Sequence, residues 1–456
     1  MSEISHNKSI NMLEREGLTR KLIMFVLPIL ACGIVQQSFN AVDIAVVGRF
    51  VGHEALAAVG SNGPVIGLIV NLFMGLSLGS NVIIANFIGQ RNGEGIRKAV
   101  STSFSLAIVC GIGMTVIGLS VARYILALLE TPPEVIDKAT EYLMIFSTGF
   151  PGMMIFNFGS AILRSIGDTK RPFYCLVVGG LVNVTLNLVF VLGMGMQVEG
   201  VAIATAISNY VSAAGVVYLL LKEDGDIKLY INNIRFYAVE LKKIVRIGLP
   251  AGVQGMVFAL SNVFIQSGIN SFGPETVSGS AAALTYEFYS YFVIVAFTQA
   301  CIAFIGQNYG AGQYGMCRSV FRRCMIISLT SCGLLDLLVY LVNPYAISIF
   351  TDDPVVAGHA ATRICGVLLF QFLACTYEIS GGALRAVGYS VLPMLITIFG
   401  TCLLRIIWCS SHLWNSFAEL LMIYPFTWIL TGAIMLIAYM IIMKKVLRKN
   451  NAGTRV

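Results

Sequence analysis

Five ionisable side chains stand inside long apolar runs of this sequence: Asp43, Glu287, Asp336, Glu378 and Arg405. A charge at membrane depth is costly, so each is a candidate for chemistry. Asp43 is the sharpest. In SFNAVDIAVVGRFVG it shares one helical face with Gln36 and Asn40, at i, i+4 and i+7, so a polar stripe leads to the carboxylate. Asn183 and Asn187 lie one turn apart in another apolar run. Asn187 falls about 22 Å from the inner end of that run at 1.5 Å per residue. Thr205 lies near the outer end of the next run. Four oxygen-bearing side chains thus reach a similar depth. They could carry a proton, or hold a small hard cation such as Na⁺ through Asp43, Asn183, Asn187 and Thr205. For the two asparagines and the threonine, helix-to-helix hydrogen bonding is the competing reading.

Other groups have other uses. Glu287 sits in ALTYEFYSYF beside Tyr286 and Tyr289, where a carboxylate among rings could hold a lipophilic cation. An interfacial aromatic belt with one snorkelling acid would look the same. Glu378 could carry protons or cationic substrate, or pair with Arg385. Asp336 and Arg405 read as a structural pair. Asn262, Gln266 and Asn270 share a face at i, i+4 and i+8 and could line a cavity. Pro28 and Pro250 each remove a backbone hydrogen bond from a long helix, which makes them hinge candidates.

The elements that hold these groups are membrane helices. Hydrophobic residues make up 57% of the 456 and charged residues 12%, about half the usual share of a soluble domain. Mean hydropathy is +0.81. Apolar runs of 18 or more residues recur throughout, which predicts spanning helices and argues against a soluble protein. The predicted spans are 21–46, 57–83, 99–122, 137–160, 172–193, 200–221, 243–269, 279–304, 320–342, 358–382, 393–412 and 418–443. The first 20 residues are polar, so no cleavable leader is expected. The 11 cysteines are scattered singly and the 4 histidines (His6, His53, His359, His412) are far apart, so neither disulfides nor a zinc site is expected.

Lys and Arg divide unevenly between the two sides. The termini and the even connections carry 25; the odd connections carry four, Arg49, Arg123, Lys138 and Arg363. The positive-inside rule then places both termini in the cytoplasm, and the tail MKKVLRKN reads as an interface anchor rather than a nucleic-acid patch.

The chain also repeats itself. ANFIGQRNGEG at 85–95 matches IAFIGQNYGAG at 302–312, an offset of 217. ILRSIGDTKRP at 162–172 matches ALRAVGYSVLP at 383–393, an offset of 221. Pro28 and Asn40 fall on Pro250 and Asn262, an offset of 222. Three matches at nearly one offset mean duplication. The halves are 1–221 and 243–456, joined by a polar cytoplasmic connection at 222–242. Six spans per half keep the halves in the same orientation. A duplicated apolar chain of this size points to a transporter, with a site shared by halves that rock.

VDIAVVGRFVG, the paired FIGQ-x-x-G-x-G segments and the paired LR-x-x-G-x(4)-P segments resemble the multidrug and toxic compound extrusion (MATE) family, from about residue 17 to 445. The resemblance implies an all-α integral membrane protein with twelve helices in two six-helix lobes, pseudo-two-fold related and V-shaped. It implies an antiporter in the cell membrane that exports lipophilic organic cations in exchange for H⁺ or Na⁺. Asp43 matches the family's first-span aspartate of cation coupling, with Asn183 and Thr205 as its companions. Asn187 departs from the pattern, since many relatives carry a second aspartate there. Span 7 also lacks a glutamate that some relatives have. Glu287 and Glu378 match the C-terminal acids loosely.

A lipid-linked glycan flippase is the alternative reading. It needs a cationic cavity for phosphates, whereas the membrane interior is read as holding four acids, Asp43, Glu287, Asp336 and Glu378, and one arginine, Arg405. An enzyme would need clustered catalytic groups; the sequence has no nucleophile–base pair, metal motif or Walker sequence, so neither a cofactor nor ATP drive is expected. The duplicated chain supplies its own pseudo-dimer, so a monomer is expected.

Overall fold

The computed structural model describes residues 11–128 and 131–453. His6, Lys8 and Arg455 lie outside the described residues. Among those described, all regular structure is helical. Eleven helices among the described residues are long and apolar enough to cross a membrane, and a bent pair, taken as one span, makes twelve. The first six are Leu18–Val51, Glu54–Gly89, Gly93–Ala127, the pair Ile136–Ser147 and Phe150–Ser165, Lys170–Gly193 and Val198–Leu221. The next six are Ala238–Asn270, Pro274–Gly310, Tyr314–Leu341, Pro354–Ala386, Val391–Ser411 and Phe417–Leu447. They are numbered spans 1 to 12. Span 4 bends by 46° at Thr148 and Gly149, just before Pro151, where a proline is pre-set for a helical first turn but not for continuation of the one before it.

The duplication is written into the backbone. Three pairs of left-handed residues at span junctions are offset by 221: Gly52 with Gly273, Arg91 with Gly312, and Gly167 with Gly388. The middle pair closes the turns after spans 2 and 8 and the last pair the LR-x-x-G turns; the FIGQ segments, offset by 217, stand four residues out of this register, and residues 304–307 lie inside span 8. In the first FIGQ turn Asn92 Oδ1 accepts the Gly95 N–H at 2.9 Å, which caps span 3.

The helices form two compact units. One holds Leu27–Gly252; the other holds Met12–Val26 and the chain from Val253. Expectation drew the halves at 1–221 and 243–456. The packing instead divides the chain inside spans 1 and 7, one residue from Pro28 and two from Pro250. The first turns of span 1 are built into the second unit: Phe25 meets the Phe304 ring edge-on at 5.5 Å, and Arg323 donates to Thr19 Oγ1 at 2.9 Å.

The polar connection packs inside the first unit. Ser101 Oγ donates toward the carbonyls of Asn233 (2.6 Å) and Arg235 (3.0 Å) and accepts the Arg235 N–H at 3.0 Å. Thr102 Oγ1 accepts the Tyr237 N–H at 3.1 Å. The segment's backbone groups, which no regular ladder satisfies, are thus taken up by span 3.

Small residues set the closest approaches. A Cβ at Gly75 would stand 2.1 Å from the Gly252 nitrogen, one at Gly79 2.4 Å from the Ile244 carbonyl, and one at Gly252 2.0 Å from the Leu72 carbonyl. Spans 2 and 7 therefore touch backbone to backbone, each through a G-x-x-x-G pair, Gly75/Gly79 and Gly248/Gly252. Pro250 lies between the two glycines of span 7.

Candidate functional site

Span 5 carries a glycine pair at its middle, and each glycine admits a different neighbour. A Cβ at Gly179 would stand 1.9 Å from Ser212 Oγ of span 6, and one at Gly180 would stand 1.6 Å from the Phe39 ring of span 1. Spans 1, 5 and 6 are thereby drawn together, with their polar residues one to two turns away along the helices. Asn187 Nδ2 donates to Asp43 Oδ1 at 2.5 Å and lies 3.4 Å from Asn183 Oδ1. Asn183 Nδ2 donates to Thr205 Oγ1 at 3.2 Å, and Thr205 Oγ1 donates to the Val201 carbonyl at 3.0 Å. The four residues form one hydrogen-bonded row across three helices.

The row sits where the helices widen. Span 1 turns π-helical at Val47–Val51, just beyond Asp43, and span 5 at Val189–Gly193, just beyond Asn187. The two widened turns pack against each other. A π turn leaves backbone groups out of the regular ladder and is often found at functional positions. Asn183 and Asn187 are buried, while Asp43 is half-buried. Asn187 Oδ1 is a buried acceptor with no donor. A carboxylate beside an unsatisfied amide oxygen is chemically suited to a proton or a small cation. Sequence reading missed Tyr142 of span 4, which is buried and within electrostatic reach of Asp43. Asn40 and Gln36 lie exposed and stand outside the row. Among the described residues, no three His, Cys, Asp or Glu side chains gather into a metal cluster.

In the second unit the geometry corrects several expectations. Glu287 is not an open carboxylate among rings. Arg363 Nε donates to its Oε1 at 2.6 Å and Arg363 Nη2 to its Oε2 at 3.0 Å, and Arg363 Nη1 donates to Ser280 Oγ at 2.7 Å. Both charges are buried, so Glu287 is neutralised by a two-pronged pair. The physical reason is that span 10 starts at Pro354. Asp353 caps it, its Oδ1 accepting the Val355 N–H at 2.8 Å, so Arg363 stands well inside the helix and not in an outer connection. Tyr286 Oη donates to the Ala346 carbonyl at 2.9 Å and its ring meets Phe350 edge-on. Tyr289 packs edge-on against Phe292.

Asp336 and Arg405 are not a pair. Asp336 is buried and accepts the Phe372 N–H at 3.0 Å. That N–H is freed because span 10 tightens into a 3₁₀ segment at Leu368–Leu373. Arg405 is 1% exposed and has no acid partner among the described residues. Its guanidinium lies 4.3 Å from the centre of the Tyr424 ring and 5.3 Å from that of Phe258. Its Nη1 reaches Asn262 Oδ1 at 3.4 Å, and its Nε and Nη2 have no acceptor. Glu378 and Arg385 form no ion pair either; Arg385 Nη2 donates to Gln254 Oε1 at 2.7 Å. Gln266 Nε2 donates to Asn270 Oδ1 at 2.9 Å, and Asn262, Gln266 and Asn270 are all exposed. Pro28 and Pro250 each lie inside a continuous helix.

Comparison with known proteins supplies the family. The chain is 26% identical to YoeA of Bacillus subtilis, a probable multidrug resistance protein by name, over 84% of this chain and 85% of that one. It is 27% identical to the probable multidrug resistance protein NorM of Thermotoga maritima, over 83% and 82%. Its fold matches that of a MOP superfamily transporter from Pyrococcus furiosus with a TM-score of 0.88, at 21% identity, over 98% of this chain and 99% of that one. The MatE family matches twice, at residues 28–189 and 250–410, the two halves of the duplication. With its repeated six-span halves and both MatE segments, this multi-pass membrane protein belongs to the MatE, or multidrug and toxic compound extrusion, family of transporters.

Proposed function

We propose that the protein is a secondary active antiporter of the cell membrane that exports lipophilic organic cations in exchange for H⁺ or Na⁺. The observation that carries the reading is the row Asp43–Asn187–Asn183–Thr205, with its one carboxylate and its unsatisfied Asn187 oxygen. In one state Asp43 holds the coupling proton or ion; in the other it is free, and the change biases the helices that share it. An ion entering down a potential supplies about 2.3 kcal/mol per charge per 100 mV. Glu378, which has no ion-pair partner among the described residues, takes the substrate's positive charge in the second unit, alongside Tyr286, Tyr289, Asn262 and Gln266. Glu287 is given to Arg363 and drops out of that role. Pro28 and Pro250 act as the hinges. Both termini lie in the cytoplasm, and the protein works as a monomer without ATP.

The test is ethidium efflux from proteoliposomes under a pH gradient alone and a Na⁺ gradient alone, with wild type beside Asp43→Asn. Efflux driven by one gradient and lost in the variant supports antiport and names the ion. Absence of efflux under either gradient from well-inserted protein overturns the reading for this class of substrate.

A second reading, flipping of a lipid-linked glycan precursor, is favoured by Arg405. A buried guanidinium with two unused donor nitrogens suits a phosphate better than an organic cation. Loss of a fluorescent lipid-linked phosphosugar from the donor leaflet, abolished by Arg405→Gln and not by Asp43→Asn, would select it.

A further inference from the structure

A groove of about 690 Å³ runs between spans 9 and 12 at their basic end, within the second unit. It shares no residue with the Asp43 row, the Glu287–Arg363 pair or Arg405. Three cations stand at its rim, Arg318 and Arg322 from span 9 and Lys444 from span 12. The two arginines are i, i+4 neighbours on one helical face. All three are exposed, and none enters an ion pair among the described residues. No acidic side chain among the described residues lines the groove.

The walls are of the opposite character. Met325, Ile326, Met440 and Met443 line them, and Phe321 lies stacked on Tyr439. Tyr439 is 5% exposed and also lines the groove, yet its hydroxyl has no hydrogen-bond partner. A buried hydroxyl without a partner is costly. It is what an acceptor oxygen arriving from outside would satisfy.

We propose that this groove is a binding site for an anionic phospholipid. The two guanidiniums and the ammonium take the phosphate, the Tyr439 hydroxyl donates to a phosphate or ester oxygen, and the methionine-rich walls take the first carbons of the acyl chains. Three features select a lipid over a soluble phosphate. The cations and the apolar walls meet at the end of a membrane span, where headgroups lie. The groove is on the scale of a ligand pocket and mostly apolar below its rim. Unbranched methionine side chains adapt to a flexible chain.

The test is native mass spectrometry of the full chain released from nanodiscs of equimolar phosphatidylglycerol and phosphatidylcholine. Each rim cation near an anionic headgroup contributes about fivefold in affinity. Wild type should therefore retain phosphatidylglycerol over phosphatidylcholine by tenfold or more. Arg318→Gln with Arg322→Gln and Lys444→Gln should abolish that preference. Tyr439→Phe should weaken retention severalfold. Lys242→Gln with Lys243→Gln, which removes equal-sign charge away from the groove, should leave it unchanged. Phosphatidylglycerol should also raise the melting temperature of wild type and not of the triple variant. Equal retention of the two lipids, an unaltered preference in both the triple variant and Tyr439→Phe, equal loss in the Lys242/Lys243 control, or displacement by millimolar glycerol phosphate would each overturn the proposal.

Discussion

Gly180 and Phe39 fix the distance between spans 5 and 1: a Cβ at position 180 would stand 1.6 Å from the Phe39 ring. Ordinary contact needs more than twice that, so a methyl at 180 fits only if the ring or the spans shift. Gly180→Ala should push the spans apart, separate Asp43 from Asn187 and cost about 1–3 kcal/mol as an overpacked contact. Melting of the purified variant checks the cost. Phe39→Ala in the same chain should recover part of it, because it removes the ring that the new methyl strikes.

The Asp43–Asn187 hydrogen bond should matter more for coupling than for folding. Asn187→Ala leaves the carboxylate without its amide donor, at a stability cost of about 1–3 kcal/mol. Gradient-driven efflux should fall at least tenfold, while the far-UV spectrum stays helical. Efflux at wild-type rate would show that the row is glue between helices and not the coupling site.

Glu287 and Arg363 should behave as one unit. Removal of one partner strands a buried charge, and Glu287→Leu or Arg363→Met should each lower stability by about 3–5 kcal/mol. The pair Glu287→Leu with Arg363→Met should recover most of the loss. A double-mutant cycle on melting in detergent measures this coupling, and additive losses would remove the pair from the account.

Ser101 is the hydroxyl that ties the connection to span 3. Ser101→Ala removes only the hydroxyl, and with it both the donor and the acceptor. Amide exchange at residues 230–237 should quicken by an order of magnitude, with the spans themselves unchanged, for a loss of about 1–3 kcal/mol of local stability.

Arg405 stands buried on Tyr424 with no carboxylate partner among the described residues. An unpaired buried cation is expensive to keep, so Arg405→Met should leave the melting temperature unchanged or raise it. If transport nevertheless falls, the charge is held for a ligand. A lower melting temperature with unchanged transport would assign it to packing alone.

Much of this was readable from residue spacing. The spans are legible because apolar runs of bilayer length have few other uses. The Asp43 row is legible because i, i+4 spacing fixes a face and residue count fixes depth. The duplication is legible because turns need particular residues, and the paired left-handed positions at Gly167 and Gly388 repeat one such need. Arg363 is counted with the odd connections because it falls in the first turns of span 10 as predicted from 358, where a basic residue reads as flanking the membrane. Asp353 followed by Pro354 is a helix cap followed by a first-turn proline, and read that way it puts the arginine inside. The partners of Asp336 and Arg405 were not legible. A 3₁₀ break in span 10 and a ring under a guanidinium depend on packing, which no periodicity encodes.

The glycine seam between spans 2 and 7 has a consequence for how span 7 can flex. Pro250 leaves the Arg246 carbonyl without its helical donor, which softens the helix at that point. Gly248 and Gly252 hold the same turn hard against the backbone of span 2 on one side. A rod softened at one joint and braced along one flank yields in one plane and resists in the others. The sequence G-L-P-A-G thus sets the direction of any bend as well as its place, much as a door is set by the side on which it is hung.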